Sequence, residues 1–159
     1  MIREIEKEDF SECAEVIRDS FMTVAETFGF TVENAPGFVA FATNEAKLIQ
    51  WKDEQHRLIY GYYKDEKLIG CYNLLVNGEE CELGSLCVLP EHRHSGIGAV
   101  LIDDAIEKAK SINCNIMKLS IVEENTILRK WYETNGFVHT GTKKFDFFPF
   151  TCGYMEKEI

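Results

Sequence analysis

From Phe10 to Phe28 the apolar residues recur at intervals of three and four: Phe10, Cys13, Ala14, Ile17, Phe21, Val24, Ala25 and Phe28. That stripe predicts an amphipathic helix ending at Gly29, a residue that accepts the left-handed conformation with which helices commonly close. Ahead of it, Met1–Ile5 alternates as a short strand, and Glu6–Asp9 supplies acidic residues and an N-cap. Asn34-Ala-Pro-Gly37 breaks the chain, and a second helix with a less regular stripe is expected over Phe38–Trp51. Between Arg57 and Val88 the period falls to two. Strands are expected at Leu58–Tyr63, Leu68–Val76 and Cys81–Val88, turning at Lys64–Lys67 and at Asn77–Glu80, where Asn77-Gly78 tolerates the positive φ of a tight hairpin. A helix follows at about Gly96–Ser111, then a strand at Ile116–Val122, a helix at Thr126–Thr134, and strands at Val138–Thr142 and Thr151–Glu156. Hairpins followed by helix and strand in alternation indicate an α/β (α+β) chain with a mixed sheet.

Composition narrows the function classes. At 159 residues and 18.3 kDa the chain is expected to form a single domain, 1–159, with a sizeable core. Seventeen basic against twenty-seven acidic residues give a formal charge of −10. General affinity for nucleic acid or an anionic membrane is therefore not expected, and cationic partners are favoured only slightly. The six cysteines are scattered without a C-x-x-C and are read as reduced thiols. With charges throughout the N-terminal stretch and no long apolar run, a cytoplasmic location is expected.

The segment richest in chemistry is Leu86-Cys-Val-Leu-Pro-Glu-His-Arg-His-Ser-Gly-Ile-Gly98, which leaves a strand and enters a helix through glycines. The first N–H groups of a helix lack internal partners and sit at the positive end of its dipole, so this entry suits a phosphate. Arg93 adds a permanent cation. A P-loop is excluded because no Lys-Ser or Lys-Thr follows Gly98. A dinucleotide fingerprint is weakened by Leu101 at its third glycine, although Glu123 stands at the next strand end. What remains is R-x-x-G-x-G at Arg93, Gly96 and Gly98.

With Val88-Leu-Pro90 before it and Asn125-x-x-Leu128-x-x-Trp131-Tyr-Glu-x-x-Gly136-Phe137 after it, this motif resembles the GNAT superfamily of acyl-CoA-dependent N-acyltransferases. The resemblance implies a mixed, mostly antiparallel sheet splayed beside its central strand. It implies acetyl-CoA as co-substrate, with its pyrophosphate on Arg93, His94, Ser95, Gly96, Ile97 and Gly98, and its pantetheine arm on the backbone of Leu86, Cys87 and Val88 and on Asn125 and Tyr132. Many members carry glycine directly after the arginine, where this chain has His94-Ser95. The implied activity is acetyl transfer to a primary amine by direct attack, on a small molecule or a peptide, with a homodimer possible. The alternative is an acyl-CoA-binding or sensor module without turnover. Acceptor choice falls to Phe21–Trp51 and Phe145–Tyr154.

An amine must lose its proton to attack. A lysine-like amine is neutral in roughly one molecule in 2,500 at pH 7, a cost of about 4.6 kcal/mol, against about 1 kcal/mol for an α-amine. Glu82, on the strand leading into the loop, is the candidate base, directly or through water, with an exposed structural carboxylate as the alternative. Regular alternation places Glu82 with Leu86 and Val88 on one face, unless a bulge reverses it. Tyr132 is the candidate acid toward the departing thiolate, a transfer about 2 kcal/mol uphill from unshifted values, or else an aromatic packed inward. Trp131 reads as packing, Cys87 as a buried thiol. His92 and His94 have no third ligand nearby, and no metal is expected.

Overall fold

The computed structural model describes residues 1–159. Seven strands form one sheet: β1 (Ile2–Glu4), β2 (Leu58–Lys64), β3 (Lys67–Asn77), β4 (Glu80–Val88), β5 (Ile116–Val122), β6 (Val138–Lys144) and β7 (Thr151–Glu158), in the order β1-β2-β3-β4-β5-β7-β6. Every pairing is antiparallel except β4 with β5. The helices are α1 (Phe10–Phe28), α2 (Val39–Ala42), α3 (Glu45–Asp53), α4 (Ile97–Ser111) and α5 (Thr126–Thr134). No helix is long and apolar enough to cross a membrane.

The apolar stripes bury as their periods require. On one face of the sheet, α4 contributes Leu101, Ile102 and Ala105 to a core with Tyr72, Leu83 and Met117. On the other, Phe10, Ile17 and Leu48 from α1 and α3 pack on Ile59, Leu68 and Ile69. A third, aromatic cluster joins Phe30, Phe38 and Phe150 beside the far end of α1. α1 ends as its glycine predicts: Gly29 has φ 74° and its N–H donates to the Ala25 carbonyl.

Three expectations change. Phe38–Trp51 is two helices, because the Asn44 side chain accepts from the Lys47 N–H at 2.8 Å and starts α3 afresh. The side-chain oxygen satisfies an otherwise orphaned donor only if the chain leaves the helical path at Asn44. Glu6–Asp9, expected to cap α1, instead forms a 3-10 turn over Lys7–Asp9 with no side-chain cap.

The third change concerns the central strand. Cys71 pairs with Cys87 and Asn73 with Gly84, so Tyr72 faces both Ser85 and Leu86, and Ser85 has φ 48°. This bulge reverses the alternation. Leu86 and Val88 join Cys81 and Leu83 against the α4 core, while Glu82 and Gly84 share the opposite face with Cys87. The added twist of a bulge turns a strand away from its neighbour. Accordingly β4 and β5 pair only over Glu80–Glu82 and Ile116–Lys118, and beyond that they separate.

Candidate functional site

The separation of β4 from β5 opens the sheet and leaves the β5-facing amides of β4 from Leu83 onward without a ladder partner. Two cavities enter this gap. One, of about 470 Å³, lies over the loop before α4 and is lined by Leu86, Cys87 and Val88, by His92, Arg93, His94 and Gly96–Ala99, and by Ser20, Asn125 and Tyr132. The other, of about 610 Å³, lies on the far side, between α1, α3 and β7. Both are walled by Phe21, Val24, Leu86, Asn125, Leu128 and Tyr132, so they meet at those six residues.

The loop between β4 and α4 is shaped for an anion. His94 at φ 63° and Gly96 at φ 85° are both left-handed, and Gly96 starts α4 without a side-chain cap. The first bond of that helix runs from Val100 N–H to the Gly96 carbonyl at 3.2 Å. The preceding N–H groups therefore stay free at the positive end of the dipole. At Gly98 the requirement is closeness to Trp131, whose ring would stand 3.0 Å from any Cβ there. Trp131 packs, as expected, and it also walls the loop cavity.

Arg93 is built into the fold more deeply than a freely reaching cation. Its Nε donates to the Val88 carbonyl at 3.0 Å, Nη1 to Thr23 Oγ1 at 3.1 Å and Nη2 to the Ser20 carbonyl at 2.7 Å. The guanidinium thus ties α1 to the end of β4 and holds the loop's position. Ser95 stabilises the same turn through Oγ, donating to the His92 carbonyl at 2.8 Å.

Asn125 caps α5, its Oδ1 accepting from the Leu128 N–H at 3.2 Å, and the residue lines both cavities. Tyr132 is 6% exposed and lines both cavities. Burial, helped by the nearby Cys87 thiol, holds its phenol well above the ordinary tyrosine value. Cys87 lies under α1 with its sulfur 3.6 Å from that of Cys71. The Cys71 thiol is pushed well up by hydrogen bonding to Cys13 and Cys87 and by burial.

Glu82 reaches the larger cavity from β4, on the face that also carries Arg57. Of the two segments expected to choose an acceptor, Phe21, Phe38, Lys47 and Trp51 from the first and Phe148, Phe150 and Cys152 from the second line this cavity. Phe147 remains 63% exposed. Sequence reasoning missed Arg57, Ser20 and Thr23. Arg57 stands just before a strand, outside any motif, and Ser20 and Thr23 are unremarkable positions of an amphipathic helix. Their roles emerge only when α1 and β2 reach the mouth of β4.

A split sheet with free strand amides, an anion-accepting helix start and a second cavity meeting the first defines a family. Residues 6–137 match the family model described as Acetyltransferase (GNAT) family, and the chain belongs to that family. Among similar proteins, the spermidine N(1)-acetyltransferase of Thermoplasma acidophilum is 25% identical over 150 residues, 92% of each chain. The uncharacterized protein YdhI of Bacillus subtilis is 32% identical over 71 residues, and the match spans 45% of this chain and 43% of that one. The crystal structure of the PaiA N-acetyltransferase from Thermoplasma acidophilum in complex with coenzyme A superposes with a TM-score of 0.83 at 23% identity, over 100% of this chain and 98% of that one. The same fold is thus seen in a relative crystallised with the coenzyme.

Proposed function

We propose that the protein transfers acetyl from acetyl-CoA to a primary amine by direct attack, in the gap between β4 and β5. The observation that carries this reading is the meeting of two cavities at Leu86, Asn125 and Tyr132, one ending in the helix-start loop and the other in an aromatic pocket. A coenzyme in the first and an amine in the second would bring thioester and nucleophile together there. Free N–H groups from Gly96 to Ala99 receive the pyrophosphate, with the His94–Ser95 turn shaping their approach and Arg93 fixing the loop. The exposed amides of Leu86–Val88 pair with the pantetheine arm, as does the Asn125 NH₂.

In the reaction the amine nitrogen bonds to the thioester carbonyl carbon, and its proton passes to Glu82, directly or through one water. The carbon–sulfur bond then breaks, and the thiolate is stabilised by the Tyr132 hydroxyl. With its pKa raised by burial, Tyr132 is a poor acid but a constant donor: it stays neutral across the working range. Its contribution is a hydrogen bond that strengthens as charge develops on sulfur, and CoA departs as the thiolate, taking its proton from water.

The test is calorimetric titration of acetyl-CoA into the purified protein beside Arg93→Ala and Gly96→Glu, followed by a screen of amines for CoA release. Binding lost in Gly96→Glu, whose carboxylate would face the pyrophosphate, and weakened in Arg93→Ala supports the loop assignment. CoA release with an amine supports transfer. Binding without release for any amine would make the protein an acyl-CoA-binding module, and no binding to the folded protein would overturn the reading.

A further inference from the structure

Arg57 faces the larger cavity with more structural support than any other charged side chain there, and no carboxylate of the chain is paired with it. Its Nε donates to Gln55 Oε1 at 2.6 Å and its Nη1 to Oδ1 of Asn73 at 2.8 Å, and Asn73 is only 1% exposed. The guanidinium lies over the Trp51 ring, 5.2 Å from its centroid. Space for this arrangement is made on β4: a Cβ at Gly84 would stand 2.8 Å from Asn73 Oδ1 and 3.3 Å from Arg57 Nη1.

A guanidinium has five N–H donors, and two are engaged within the chain. Three are left. Arg57 takes part in none of the ion pairs of the molecule, and neither does Lys47, the other cation of the cavity wall. Burial draws the Arg57 pKa down, opposed by Glu82. Arg57 is thus half-buried and rigidly held, with Glu82 as its one carboxylate neighbour but no ion pair formed, so a ligand carboxylate would meet three unengaged donors on a partly desolvated cation. The remaining wall is largely apolar, with aromatic rings from Phe21, Phe38, Phe148 and Phe150.

Resting on the acetyl-transfer reading, we infer that the acceptor carries a carboxylate beside its amine on an apolar body, the chemistry of an apolar amino acid, and that Arg57 binds that carboxylate. Register supports the placement. Arg57 occupies the side-chain space of Gly84, two residues before Leu86, about 6 to 7 Å along an extended strand and less across the bulge. A carboxylate held there leaves an amine a few bonds away at the cavity junction. A polyamine would instead set several cations against Lys47 and Arg57 with Glu82 as the single carboxylate of the wall.

The experiment follows CoA release from acetyl-CoA with L-phenylalanine and L-leucine, with the corresponding amides, and with spermidine. The acids are expected to exceed their amides in kcat/KM by about tenfold or more, the range of a charge-assisted hydrogen-bonded pair. Arg57→Gln should remove that preference, chiefly through KM for the acid, with the amides little changed, and Arg57→Lys should restore it in part. Acetyl-CoA titration of each variant shows that the fold and the coenzyme side are intact. Equal rates for acid and amide, no turnover of either amino acid, or spermidine as the better acceptor would overturn the inference while acetyl transfer stands. Failure of the wild-type protein to bind acetyl-CoA would instead remove the reading beneath it.

Discussion

Tyr132 shows how a single side chain is tuned by its place. A phenol in water titrates near 10, and inside the junction it is held higher because the phenolate would lose its hydration. Replacing it with phenylalanine removes one donor and little volume. Tyr132→Phe is expected to lower kcat about a hundredfold in single-turnover experiments where chemistry limits the rate, with acetyl-CoA affinity nearly unchanged. Since the hydroxyl stays protonated, the alkaline limb of kcat should not move in this variant; a shifted limb would assign the titration to Tyr132 and contradict the donor role. The tyrosine was identifiable from its motif. Arg57, just ahead of β2 and outside any motif, was not, because nothing local distinguishes an arginine that will meet Trp51, Asn73 and the gap left by Gly84 from one that will face solvent.

At the scale of elements, the site depends on where β4 stops pairing and where two helices begin. The α5 start is a side-chain cap, and Asn125→Ala should cost about 1 kcal/mol of stability in a denaturant titration. The α4 start is positioned by Arg93. Removing three donors that bridge α1 to Val88 should cost about 2 kcal/mol or more in Arg93→Ala. Arg93→Lys should recover little of it, because one ammonium cannot span three acceptors that a planar guanidinium reaches together. The strand and helix positions along the chain were readable from periodicity to within a few residues, except that Phe38–Trp51 divides at Asn44. The bulge at Ser85 was not: Leu86, Cys87 and Val88 are all apolar and fit either face, and it takes the pairing of Tyr72 against two residues to reverse the faces.

Across the whole molecule, the cavity over the loop before α4 draws on α1, β4, α4 and α5, which stand on both sides of the split sheet. A ligand bound only to the native state at about 100 times its Kd adds about 2.7 kcal/mol. Acetyl-CoA should therefore raise Tm by several degrees, with a smaller rise in Gly96→Glu, as differential scanning fluorimetry would show. A second global effect is alkaline. Burial and the neighbouring Cys114 raise Cys81 from 9.0 to about 12, and burial followed by Asp9 raises Tyr63 from 10.0 to about 12. For groups whose folded-state pKa is raised, the stabilisation is complete below the unfolded value and is lost as pH climbs to the folded one. Unfolding free energy should accordingly decline between pH 9 and 12, by about 1.4 kcal/mol per unit for each group in its window. Cys81→Ala should flatten the part that begins at pH 9.

By itself the sequence determined the elements, the helix-start loop and the family resemblance, because periodicity, glycine placement and the Arg93–Gly98 spacing are local properties of the chain. Tertiary structure alone decided the rest. It reversed the faces of β4, parted β4 from β5, turned Arg93 inward onto α1 and brought Arg57 to the larger cavity. Those outcomes depend on contacts between residues far apart in the chain, whose energies exist only once the sheet has assembled.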